Sequence, residues 1–76
     1  MEIKVFGYGC SRCNHTYDLV RQVLDEDCIE AKLSKVTDRE EITACGVKVV
    51  PTIMVDGKIK LAGKVPRCEE IRRLLG

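Results

Sequence analysis

Between two runs of β-forming residues, "PTIMV" from Pro51 and "KIKLA" from Lys58, stands the dipeptide Asp56-Gly57. A two-residue connection of this kind closes a β-hairpin, because its central residues take positive φ, which Gly adopts freely and Asp tolerates. The dipeptide therefore predicts two adjacent antiparallel strands. The amino-terminal half imposes the opposite pairing. "IKVFGYG" reads as a buried strand that runs into a glycine-bounded loop. From Ser11 to about Asp25 the apolar period becomes helical: Thr16, Leu19, Val20, Val23 and Leu24 recur at intervals of three and four, with Asp18, Arg21, Gln22 and Asp25 between them. "CIEAKLSKV", from Cys28 to Val36, then alternates apolar and polar residues as a half-buried strand does. A strand–helix–strand unit implies a parallel pair joined by a right-handed crossover. Together the two halves require a mixed sheet.

The remaining segments fill in around it. Thr37-Asp38-Arg39-Glu40 has the form of a capping box, with Thr37 as the cap and Glu40 reaching back to its amide. The short helix it opens is expected to stop near Cys45, since Gly46 can take the left-handed conformation common just past a helix end. Pro66 suits a first helical turn, and Ile71, Leu74 and Leu75 form one apolar stripe behind it. The order β-α-β-α-β-β-α predicts an α/β fold: a four-stranded mixed sheet with three helices covering both faces. Neither linker nor repeat interrupts residues 1–76, which read as a single domain.

Composition narrows the function. The 13 basic and 12 acidic residues leave a formal charge of +1, and there is one Phe, two Tyr and no Trp. Nucleic acid finds neither a basic stripe nor a stacking platform. No apolar run approaches the ~20 residues that cross a bilayer. "MEIKVFGYG" lacks the basic head and apolar stretch of a secretory leader, which points to a cytoplasmic protein. In that reducing setting stable disulfides are rare, and the spacing Cys10-Ser11-Arg12-Cys13 is more characteristic of redox or metal chemistry than of a structural staple. The chain has five cysteines, an odd number, so one thiol at least lacks an intramolecular disulfide partner.

With this element order on the page, the chain resembles the thioredoxin superfamily, and most nearly its short, glutaredoxin-sized members in archaea and bacteria, the thioredoxin-like redox-active disulfide proteins. Cys10-Ser11-Arg12-Cys13 stands between the first strand and the first helix, where that family keeps its redox pair. Val50-Pro51-Thr52 precedes the hairpin, where the family has its cis-proline loop, and "AGKVPRCEEIRRLL" is similar to the family's last strand, glycine and final helix. The resemblance spans Ile3 to Leu75. It implies a minimal thioredoxin-like fold and a thiol–disulfide oxidoreductase whose redox centre is the Cys10–Cys13 disulfide, with no separate cofactor and no metal. The implied partners are protein disulfides and a reductase, and the chain is expected to act as a monomer.

Within that resemblance the residues acquire roles. Cys10, just before the helix, would have its thiolate favoured by the unpaired amides of the helix start, with Arg12 and His15 adding positive potential. Cys13, one turn in, would be more buried, so Cys10 is the expected nucleophile and Cys13 the resolving thiol. Tyr8 would form part of an apolar docking rim, and Val50 and Pro51 would bind the target peptide, the backbone of Val50 pairing with it. Gly7 and Gly9 would keep the loop supple. Three positions depart from larger thioredoxins: Tyr8-Gly9 replaces the Trp before the first cysteine, Ser-Arg fills the gap between the cysteines, and Lys4 occupies the place of a buried acid.

Two other functions use the same residues. A soft-metal carrier for Cu(I) or Zn(II) would employ the same two thiols, although the ferredoxin-like carriers run β-α-β-β-α-β and end in a strand. A non-catalytic adaptor would keep only the surface. Among the other cysteines, Cys28 is expected to pack at the start of a strand, Cys45 to pack at a helix end, and Cys68 to lie on the surface of the last helix. His15 is expected to face solvent, as are the charged side chains of Glu69, Glu70, Arg72 and Arg73.

Overall fold

Seven elements appear in the predicted order in a computed structural model that describes residues 1–8 and 11–75: β1 (Glu2–Phe6), α1 (Ser11–Glu26), β2 (Lys32–Val36), α2 (Arg39–Ala44), β3 (Thr52–Val55), β4 (Lys58–Ala62) and α3 (Cys68–Leu75). The strands form one sheet in the order β2-β1-β3-β4. β1 pairs in parallel with β2, Ile3 opposite Leu33 and Phe6 opposite Val36, and antiparallel with β3, Val5 opposite Ile53. Asp56 and Gly57 take φ of 49° and 83°, the positive values the two-residue hairpin demands. β4 is an edge strand, and an irregularity between the Ile53 and Met54 pairings leaves Lys60 without an opposite residue. A bulge and the exposed Lys58 and Lys60 blunt this edge against further pairing.

Alternation along β1 divides the core. Ile3 and Val5 point to one face and join Ile53, Val55, Val20, Val23, Leu24 and Ile71, so α1 and α3 cover that side. Phe6 points to the other face and joins Val36, Ile42 and Val47, the side of α2. Phe6, Ile3, Ile42, Ile53 and Ile71 are essentially sealed from solvent. Each such side chain contributes about 1.5–3 kcal/mol of transfer free energy. The predicted α1 stripe is the buried one, with Leu19 half-buried at its margin.

Helix ends depart from the prediction in instructive ways. The cap of α2 is Asp38, not Thr37: its carboxylate accepts the Glu40 N–H at 2.9 Å, and the helix starts one residue later than the capping box implies. α2 stops at Ala44 with Cys45 as its cap, as expected, and Gly46, φ 79°, follows with its N–H bonded to Thr43 O and the Val47 N–H to Ile42 O. α1 closes by the same device. Cys28 N–H reaches Asp25 O at 3.4 Å, Ile29 N–H reaches Leu24 O at 3.0 Å, and Cys28 itself has φ 52°. β2 consequently begins at Lys32 rather than Cys28, and Cys28 is an exposed turn residue, not a packed strand residue. Cys45, at the end of α2, is likewise exposed rather than packed, whereas Cys68 is half-buried against the larger core. Pro66 is buried ahead of α3 and outside its first turn.

Two residues from the charged face of α3 are engaged in ion pairs. Arg72 meets Glu26 at 3.3 Å and Asp27 at 3.1 Å, tying α3 to the end of α1. Lys64 meets Glu70 at 2.9 Å. That hydrogen bond, with help from the Arg67 backbone N–H, holds the Glu70 carboxyl below its ordinary range.

Two predictions follow from these termini. A non-glycine residue in the left-handed region carries about 1–2 kcal/mol of strain, partly offset in glycine by its own entropy. Cys28→Gly is therefore expected to stabilise the fold by about 0.5–1 kcal/mol in urea denaturation; an unchanged or lower midpoint would contradict the strain argument. Because the folded-state pKa of Glu70 is lowered, its contribution is present above the unfolded value and lost as pH falls through the folded one. Lys64→Met is expected to return the Glu70 carboxyl towards its ordinary range in an NMR titration.

Candidate functional site

Of the sequence-predicted site residues, Tyr8, Cys13, Val50 and Pro51 are described and are joined beyond the carboxyl end of β1 by the contacts that follow, whereas Cys10, with Gly9, lies outside the described residues. Cys13 occupies the first turn of α1 and is fully buried. Its burial is produced by Gly7. A Cβ added at Gly7 would come within 2.4 Å of both the Cβ and the Sγ of Cys13, so only glycine lets the chain leave β1 this closely over the thiol. Gly7 is also buried, and its N–H donates to Val36 O at 3.0 Å. The sequence reading assigned Gly7 suppleness; the structure shows a close approach held by a hydrogen bond.

The second segment of the site is the loop before β3. The Val50–Pro51 peptide bond is cis, as the resemblance implies. Pro51 is buried, Val50 is half-buried against the Phe6–Ile42 cluster, and the neighbouring Val49 is 50% exposed. Thr52, fully buried, satisfies its hydroxyl by donating to Val49 O at 2.6 Å. Tyr8 is also 50% exposed, and the Arg39 guanidinium lies 5.4 Å from its ring centroid.

A third segment joins the first two. Gly63, φ 82°, donates its N–H to Pro51 O at 2.9 Å and accepts at its own carbonyl from the Arg12 guanidinium at 3.3 Å. Val49 Cγ2 stands 3.4 Å from where a Gly63 Cβ would be. Arg12, the residue immediately before Cys13, is thus linked through Gly63 to the proline loop. Sequence reasoning gave Arg12 an electrostatic part only; the glycine after the last strand was the one signal for this bridge. No sequence signal marked Val49 or Arg39.

Within α1, Thr16 is buried and donates its hydroxyl to Arg12 O at 2.9 Å. His15 is exposed, as expected. Lys4 is half-buried on β1 and 3.6 Å from Glu2. Among the described residues the buried polar side chains are Thr16 and Thr52, so no buried carboxyl, amine or imidazole stands beside Cys13. The other cysteines are not gathered here: Cys28 closes the far end of α1, Cys45 ends α2 and Cys68 opens α3.

The chain's sequence has relatives among known proteins. The family model described as thioredoxin domain matches residues 1–76. A thioredoxin of Methanocaldococcus jannaschii is 44% identical over 73 residues, which cover 96% of this chain and 84% of that protein. A thioredoxin of Methanothermobacter thermautotrophicus is 32% identical over 75 residues, covering 99% and 97%. The chain therefore belongs to the thioredoxin domain family, and thiol–disulfide oxidoreduction is its general class of chemistry.

Proposed function

We propose that Cys10 and Cys13 are the redox couple of a protein disulfide reductase. The observation that carries this reading is the burial of Cys13 in the first turn of α1 under the backbone of Gly7. A thiol shielded in this way reacts with a neighbouring sulfur far more readily than with an incoming protein, which suits a resolving role. Cys10, adjacent to the helix in sequence, is the nucleophile. Its thiolate attacks one sulfur of a partner disulfide, forming a mixed disulfide and expelling the other sulfur as a thiolate that takes a proton from water. The Cys13 thiolate then attacks the Cys10 sulfur, closing the Cys10–Cys13 disulfide and releasing the second partner thiolate. The partner gains two electrons, and a separate reductase restores the dithiol.

The couple itself is the redox centre, so the reading needs no further cofactor and no metal. Tyr8, Val50 and Pro51 line the approach of the partner peptide. The chain works as a cytoplasmic monomer in this reading. A soft-metal carrier would use the same thiols, and the experiment separates the two.

Titration against thiol buffers, followed by alkylation and peptide mass analysis, is expected to show Cys10 and Cys13 oxidising together in one two-electron step between roughly −180 and −300 mV. Closure only after removal of a bound metal would favour the carrier. Cys13→Ser is expected to leave Cys10 trapped as a mixed disulfide with partner proteins, whereas Cys10→Ser forms none. Gly7→Ala forces the chain off Cys13 and is expected to cost about 1–3 kcal/mol in urea denaturation. A wild-type midpoint for that variant would show that the close approach is not required.

A further inference from the structure

The carbonyls on either side of Val50 are both engaged. Val49 O accepts from the Thr52 hydroxyl, and Pro51 O accepts from the Gly63 N–H. The second of these bonds carries the β3–β4 pairing one step beyond Thr52 and Ala62. Gly63 is therefore a point at which the loop before β3 is fastened to the sheet. The fit is close, since Val49 Cγ2 lies 3.4 Å from the place a Gly63 Cβ would occupy. Beyond Gly63 the chain is anchored again at Pro66, which is buried.

Arg12 reaches this point from a different element. Its guanidinium donates to Gly63 O at 3.3 Å from the first turn of α1, across 51 positions of sequence. The backbone at its own end is also held. Arg12 O accepts from the buried Thr16 hydroxyl at 2.9 Å, and the next residue, Cys13, is pressed against Gly7. A continuous chain of contacts thus runs from Cys13 through Arg12 and Gly63 to Pro51. A guanidinium suits this span, because it stays charged and presents its donors in a fixed plane. Arg12 is exposed, so this bond, rather than burial in a core, is what its side chain contributes.

We infer that Arg12 is a positioning residue for the exchange: by holding Gly63 it fixes the loop of Val49, Val50 and Pro51 against the first turn of α1, and so aligns a bound peptide disulfide with the couple. The inference rests on the reading of Cys10 and Cys13 as the exchanging pair. It separates two kinds of substrate. A peptide disulfide lies along the loop and depends on its placement, whereas a disulfide too small to reach the loop depends on the thiols alone. An electrostatic effect of Arg12 on the Cys10 thiolate would act on both alike.

The test uses the whole chain in its dithiol form with two uncharged disulfides. One is a synthetic peptide, blocked at both ends, with one internal disulfide; the other is hydroxyethyl disulfide. Second-order rate constants are read by acid quench and alkylation over a range of pH. The quantity compared is the peptide-to-hydroxyethyl ratio, from which any change in Cys10 acidity cancels. Arg12→Met removes the donor and is expected to lower this ratio about 5-fold at every pH, the scale of one hydrogen bond. Gly63→Ala disturbs the same junction from the other side, since alanine tolerates a φ of 82° poorly, and is expected to lower the ratio as well. In the double variant the second change is expected to cost much less than it does alone, because both act on one bond. Urea denaturation checks that each variant is folded. An unchanged ratio in Arg12→Met, with both rate constants falling together, would overturn the inference, and so would full additivity of the two changes. Reaction with hydroxyethyl disulfide keeps the exchange reading intact in either case. If the wild-type protein reacts with neither disulfide, the exchange reading falls, and the inference with it.

Discussion

β1 is hydrogen-bonded along both edges and buried on both faces, and the geometry of the whole molecule is set from it. Its parallel partner β2 requires the α1 crossover, and its antiparallel partner β3 brings in the hairpin. Its alternating side chains assign α1 and α3 to one layer and α2 to the other. Where the strand ends, Gly7 is still hydrogen-bonded to Val36 while the chain is already turning over Cys13. The last residue of the sheet and the first turn of α1 are in effect one rigid joint. The thiol is therefore positioned by the most deeply buried part of the protein rather than by a loop.

Gly63 plays the complementary part on the other side of the site. One residue with positive φ presents its N–H to Pro51 and its carbonyl to Arg12, so the proline loop and the first turn of α1 share a single backbone partner. Two segments far apart in sequence are kept in register by groups that any side chain leaves in place, but in a conformation that favours glycine.

Much of this was legible in the sequence. Period-two and period-3.6 patterns, the Asp56-Gly57 turn and Gly46 define the elements because each reflects a local backbone requirement. The Cys-x-x-Cys pair and Val50-Pro51-Thr52 mark the site through their resemblance to a family. What escaped was set by tertiary structure or by competing local choices. Thr37 and Asp38 are both good caps, and only the chain's entry angle selects Asp38. The apolar alternation read from Cys28 to Val36 begins inside the turn that closes α1, so it conceals the left-handed conformation at Cys28. The closeness of Gly7 to Cys13, the Arg12–Gly63 bridge and the Arg39–Tyr8 contact join residues from different elements, and no pattern along the chain encodes them.

The small size of α2 has a dynamic consequence. It spans six residues, too few to be stable alone, and it buries Ile42 as its single fully enclosed side chain, with Val47 just beyond its end. The free energy of opening it locally is correspondingly a small fraction of that for unfolding the sheet. Its amides are therefore expected in the fastest-exchanging set in native-state hydrogen exchange, with Arg39 opening alongside them. Cys13, held against the sheet by Gly7, is thus expected to stay fixed on timescales at which α2 opens.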